Sequence, residues 1–307
     1  MSEIEKIAKQ ILAKGKGILA ADESTGTMTK RLSGVNVEST DQNRLKFRET
    51  LFSADGMKNY IGGVILYDET IKQRTSSGKT IPELIKSFGS VPGIKVDTGL
   101  RKLTDSSEEK ITGGLEGLKE RLVEYFDLGA RFTKWRAVYN ISNSHPSELA
   151  IKSNAQALAK YAALVQEAKM VPIVEPEVLM DGEHNINRCY EVTSKVLKEC
   201  YKELTLHSVN LEGTILKPNM ILPGNKSKDK SNTAEIARMT LKCLKENVPS
   251  EVPGIAFLSG GQTEIEATQN LNEINKLNDT NFVMSFSYGR ALQQSALKNW
   301  GKNINDT

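Results

Sequence analysis

Cysteine and histidine are scarce in this chain, at three each among 307 residues. Cys189, Cys200 and Cys243 are too few for a disulfide framework, so a reducing, cytoplasmic setting is expected. His145, His184 and His207 are scattered, which disfavours a histidine-rich catalytic zinc site. No run of about 18 apolar residues occurs, so no membrane span is expected. The first residues, Met1-Ser2-Glu3-Ile4-Glu5-Lys6, lack the apolar core of a signal peptide. Forty-one basic residues against 38 acidic ones leave a net charge of +3, too small an excess for a nucleic-acid footprint. The aromatic residues form no stripe on which bases could stack. No Pro/Gly/Ser-rich linker divides the chain, which reads as one domain over 1–307. No G-x-G-x-x-G follows an early strand, which argues against a doubly wound dinucleotide-binding sheet.

What is present is an alternation. Eight short apolar runs lie at residues 17–22, 62–69, 93–99, 132–139, 171–178, 213–220, 254–260 and 282–289. Helical periodicities fill the spaces between them. Leu115, Leu118, Leu122 and Phe126 form one apolar face, and Ile151, Ala155, Leu158, Ala162 and Val165 form another. Asn232 with Glu235 reads as a capping box, and a last helix is expected over 291–300. Cys189 and Cys200 are expected to pack within one helix. Eight strands, each followed by a helix, predict an α/β fold, the (β/α)8 TIM barrel, with a short N-terminal helix before it.

Strands of such a barrel are buried on both faces and should be almost wholly apolar. Here charges interrupt them near their C-terminal ends. Asp22 ends the first, Lys95 lies in the third, Lys134 and Arg136 in the fourth, Glu175 and Glu177 in the fifth, Lys217 in the sixth, and Arg290 follows the eighth. Lys134/Arg136 and Glu175/Glu177 are spaced i, i+2, so each pair points to one face of its strand. A lone buried charge is costly, but Asp22, Glu175 and Glu177 balance Lys95, Lys134 and Lys217. A structural ion-pair network is the plainer explanation of any one pair. Clustering at the strand ends where barrel active sites lie favours catalysis.

Lys217, between Ile215-Leu216 and Pro218, has apolar walls and a cationic neighbour in Lys134. Both lower a lysine's pKa and suit it to form a Schiff base with a carbonyl. Glu175 and Glu177 then provide a proton donor and acceptor. Two glycine turns end the seventh and eighth strands. Ser259, Gly260, Gly289 and Arg290 there are candidate phosphate ligands, at the usual phosphate site of this barrel class. Ser24 and Thr27, with Lys30 and Arg31 behind them, form a second candidate anion site, although helix capping explains the hydroxyls equally well. A sugar carrying two phosphates would engage both ends. The polar segment 223–231 reads as a solvated surface loop beside Lys217.

At these residues the sequence resembles class I fructose-1,6-bisphosphate aldolase in its animal and plant form. The resemblance is carried by VNLEGTILKPN at 209–219, GKGILAADESTGT at 15–27, Lys134-Trp135-Arg136, PIVEPE at 172–177, LSGGQ at 258–262 and FSYGRALQ at 286–293. It implies reversible cleavage of fructose 1,6-bisphosphate to dihydroxyacetone phosphate and glyceraldehyde 3-phosphate. Lys217 would form the imine, Glu175 would be the main acid/base, and Asp22 would position the C4 hydroxyl. Lys134 and Glu177 would tune Lys217 and Glu175, with Arg136 near the substrate. Ser259, Gly260, Gly289 and Arg290 would hold the C1 phosphate, and Ser24, Thr27, Lys95 and Arg31 would line the C6 side. The resemblance further implies no cofactor and no metal, sugar phosphates as small-molecule partners, no nucleic acid or membrane, a homotetramer, and a cytoplasmic location. Another Schiff-base sugar-phosphate aldolase or a transaldolase, and a phosphosugar-binding scaffold without turnover, are the alternatives. Thr27 stands where better-known members have Ser, and Thr98 where many have Lys. Their C-terminal tyrosine, which assists proton exchange on the enamine, has no counterpart in Asn305-Asp306-Thr307. The enamine's proton donor is therefore left open.

Overall fold

Runs such as 61–66 and 171–178 have no polar face to turn to water, so they are stable only when covered on both sides. The structure, a computed structural model describing residues 1–105 and 108–304, covers them in this way. Its strands are β1 (Gly17–Ala21), β2 (Ile61–Leu66), β3 (Val91–Lys95), β4 (Leu100–Lys102), β5 (Lys110–Thr112), β6 (Phe132–Tyr139), β7 (Val171–Val178), β8 (Ile215–Leu216), β9 (Gly254–Phe257) and β10 (Val283–Tyr288). Eight of them, β1-β2-β3-β6-β7-β8-β9-β10, pair in parallel and close on β1 as a barrel. These are the eight expected strands, and helices between them complete a (β/α)8 TIM barrel. The remaining two, β4 and β5, form a small antiparallel hairpin after β3 that the apolar pattern does not announce. Asn305-Asp306-Thr307 lie outside the described residues.

The strands present two rows of side chains. One row, including Leu19, Val64, Ile94, Trp135, Val174 and Leu216, packs in a large core with the surrounding helices. The other, Ile18, Ala20, Ile65, Val91, Phe132, Val171, Ile173, Ile215 and Ala256, fills the barrel interior together with Ala8, Ile11 and Leu12. Those last three belong to or follow the helix Glu3–Ile11, which seals one end of the barrel. Ser2 and Glu5 cap that helix reciprocally. The fit is close at two glycines. A Cβ on Gly62 would lie 1.9 Å from the Ile11 carbonyl oxygen, and one on Gly93 would lie 2.4 Å from the Phe132 ring.

β8 is short because the 3₁₀ turn Leu211–Gly213 precedes it and Pro218 follows. Pairing nevertheless continues past it, since the Lys217 N–H donates to the Val174 carbonyl at 2.8 Å and the Leu258 N–H to the Pro218 carbonyl at 3.1 Å. Cys189 and Cys200 are buried on the single helix Ile186–Leu206. Asn232 caps the helix Thr233–Asn247 by accepting from the Glu235 N–H; of the expected capping box, this is the limb that forms.

Candidate active site

The interior rows lead straight into the charged residues. Counting by twos gives Ile18-Ala20 on β1 and Asp22 just past it, Val91-Gly93-Lys95 on β3 and Asp97 past its end, Phe132-Lys134-Arg136 on β6, Ile173-Glu175-Glu177 on β7, and Ile215 on β8 with Lys217 directly after it. The barrel is thus apolar at its sealed end and ionic at the C-terminal mouth. Strand register sets the neighbours: Lys95 is opposite Lys134, and Arg136 is opposite Glu175.

These charges form one chain of contacts. Lys217 Nζ is 3.0 Å from Glu175 Oε1. Lys134 Nζ is 3.4 Å from Glu175 Oε2, 2.7 Å from Asp22 Oδ2 and 3.9 Å from Asp97 Oδ2. Asp97 Oδ1 is in turn 3.1 Å from Lys95 Nζ. Beside this chain Arg136 Nε donates to Glu177. The Lys134, Glu175 and Lys217 side chains are only 4–6% exposed, so little water screens them.

Burial alone raises the pKa of Asp22, but Lys134 and Lys217 outweigh it and bring that carboxyl down to about 2. Glu175 is likewise raised by burial and lowered more by Lys217, Lys134 and Arg136, so it is held below the ordinary carboxylate range. Lys134 loses basicity by burial and regains more from Asp22, Glu175 and Asp97, so it keeps its proton. The result is two ionised carboxylates joined by a permanently charged lysine, with Lys217 against one of them.

The remaining expected residues lie around this centre. Gly260, after β9, packs on Glu177, and a Cβ there would meet Glu177 Oε1 at 2.8 Å. Ser259 lies beside it, partly buried. Gly289 precedes the helix Arg290–Lys302, close to the Ala20 carbonyl and Glu23. Ser24 caps the helix Thr25–Ser33 by accepting from the Thr27 N–H, and the two hydroxyls are 3.2 Å apart on an exposed surface. Arg31 pairs with Glu23 and, like Arg290, lines a groove of about 230 Å³. The segment 223–231 is anchored where it meets the loop after β7: the N–H groups of Gly224, Asn225 and Lys226 donate to the carbonyls of His184, Met180 and Gly182.

Two residues of the site escape the sequence reading. Asp97 sits in an expected strand and repeats, with Lys95, the i, i+2 spacing seen at Lys134/Arg136, so its signal was available. Glu23 is buried, its pKa raised by burial despite Arg31, and it accepts from Gln293 Nε2 at 3.0 Å. It follows Asp22 directly and lies off the interior row, so nothing in strand periodicity marks it. Among the described residues no group of three or more His, Cys, Asp and Glu side chains is arranged to hold a metal ion.

A closed parallel barrel with its charged groups gathered at the C-terminal mouth is the architecture of a barrel enzyme with its active site there. The family model described as "Fructose-bisphosphate aldolase class-I" matches residues 3–307, and the chain belongs to that family of lyases. Cytosolic fructose-bisphosphate aldolase 4 of Arabidopsis thaliana is 53% identical over 295 residues, covering 96% of this chain and 75% of the relative. A probable class 1 fructose-bisphosphate aldolase of Xanthomonas campestris is 48% identical over 304 residues, covering 99% and 91%. The solved fructose-bisphosphate aldolase of Plasmodium falciparum, in complex with TRAP and a small-molecule inhibitor, superposes with a TM-score of 0.97 at 45% identity, over 99% of this chain and 88% of that one.

Proposed function

We propose that the chain cleaves and forms fructose 1,6-bisphosphate through a covalent imine on Lys217. The carrying observation is the 3.0 Å contact between Lys217 Nζ and Glu175 Oε1, with Lys134 bridging Glu175 to Asp22. Glu175, held ionised, takes the proton that Lys217 must lose to become nucleophilic. The free amine adds to the C2 ketone. Glu175 returns its proton to the departing hydroxyl, and water leaves as the imine forms. The imine nitrogen then draws electrons from the C3–C4 bond as Glu175 removes the C4 hydroxyl proton and Asp22 orients that hydroxyl. Glyceraldehyde 3-phosphate departs and an enamine remains. Protonation at C3 and hydrolysis of the imine release dihydroxyacetone phosphate and regenerate the amine.

In this scheme Lys134 stabilises both carboxylates throughout, and Glu177 holds Arg136 beside the substrate. Ser259, Gly260, Gly289 and Arg290 bind the C1 phosphate. Ser24, Thr27, Arg31 and Lys95 serve the C6 phosphate. The reaction needs no metal or other cofactor. The enzyme works as a single domain over 1–307, in the cytoplasm, as a homotetramer. No helix among the described residues is long and apolar enough to cross a membrane.

Borohydride reduction in the presence of dihydroxyacetone phosphate, followed by mass mapping, tests the central claim. The expected adduct is on Lys217; an adduct elsewhere, or none, overturns it. Undiminished turnover in EDTA is expected, and loss of activity there would point to metal-assisted aldol chemistry. Sedimentation equilibrium tests the tetramer.

A further inference from the structure

Lys95 and Lys134 are direct partners in the β3–β6 ladder and both face the interior. Like charges in that relation repel, the more so in a site that excludes water. Asp97 lies between them. Its carboxylate is 4% exposed and fully engaged: Oδ1 faces Lys95 Nζ at 3.1 Å and accepts from the Gly99 N–H at 3.2 Å, while Oδ2 accepts from the Arg136 N–H at 3.4 Å and faces Lys134 Nζ at 3.9 Å. The two backbone bonds fix the carboxylate between β3 and β6, so it is a rigid anion rather than a mobile one. It attracts Lys95 to one oxygen and leaves Lys134 to Asp22 and Glu175.

We infer that Asp97 is a positioning residue for catalysis, which separates Lys95 from Lys134 and thereby seats Lys134 on the Asp22 and Glu175 carboxylates. Asp97 touches neither the imine-forming amine nor, in the proposed scheme, the reacting atoms, and it acts through Lys134. The inference rests on the imine chemistry proposed for Lys217. Removing its charge lets the two lysines repel, displaces Lys134 and weakens its hold on the acid/base pair.

A double-mutant cycle tests this, with kcat for fructose 1,6-bisphosphate cleavage read for Asp97→Asn, Lys134→Met and the combination. Asp97→Asn keeps the side-chain shape and is expected to lower kcat about tenfold, which is within the range of interaction that directly coupled groups share. In the Lys134→Met background the same change is expected to alter kcat less than about twofold, since the group it acts through is gone. A structural role alone would lower the melting temperature and carry its full effect on kcat into both backgrounds. Additive effects, or an Asp97→Asn enzyme with unchanged kcat, overturn the inference. If Asp97→Asn does not fold, Lys95→Gln is compared with Lys95→Gln/Asp97→Asn: with the repelling lysine absent in both, adding Asp97→Asn is expected to change kcat less than about twofold, and a roughly tenfold drop overturns the inference. Borohydride trapping of the unmutated enzyme separates the two levels. A missing Lys217 adduct refutes the Schiff-base scheme, whereas an intact adduct with an additive cycle refutes only the role of Asp97.

Discussion

Buried among three carboxylates, Lys134 is a fixed countercharge, and removing it leaves Asp22 and Glu175 as close, desolvated anions. Lys134→Met is therefore expected to cut kcat about a hundredfold or more, by raising both carboxyl pKa values and spoiling the ionised state of Glu175. Lys217→Ala should abolish turnover while bisphosphate binding, measured by calorimetry, persists through the phosphate contacts. Asp22 gives a pH signature. Its folded value of about 2 lies below the ordinary 3.8, so its stabilisation is complete above roughly pH 5 and disappears as the pH falls through 2. Urea midpoints of the parent and Asp22→Asn should differ at about pH 5 and converge toward about pH 2; parallel curves would contradict the assignment. At this scale, charges inside apolar strands were conspicuous in the sequence because burial makes them expensive. Glu23 was not, since its partner Arg31 is reached only once the helix Thr25–Ser33 is folded.

Strands were readable for the same physical reason: a segment covered on both faces has to be apolar, and the runs at 132–139 and 171–178 match β6 and β7 end to end. The β4–β5 hairpin was not readable. Leu100, Arg101 and Lys102 are all exposed and show no apolar alternation, so backbone pairing with β5 defines this strand. The 223–231 segment is the exposed surface loop its polarity suggests, and three of its backbone N–H groups are also bonded to the loop after β7. Close strand packing is testable at Gly93, where a Cβ would meet the Phe132 ring at 2.4 Å. Gly93→Ala should cost about 1–3 kcal/mol in urea unfolding, as overpacked core sites do. Adding Phe132→Leu should recover part of that loss, and no recovery would place the strain elsewhere.

For the whole molecule, the order of strands in space follows their order in sequence around the ring, apart from the inserted hairpin. Parallel strands joined through helices leave little other choice, which is why the barrel was legible from alternation alone. The same ring has a consequence for assembly. Closure joins β1 to β10, and the Ser285 hydroxyl donates to the Lys16 carbonyl across 269 residues. The contact that completes the fold therefore unites segments 269 residues apart, and contacts so distant in sequence form late. Until β10 emerges from the ribosome, β1 and β9 each present an unsatisfied edge, the kind of surface that recruits foreign strands. A nascent chain stalled before Val283 should consequently be a chaperone client, because only the arrival of β10 satisfies both edges.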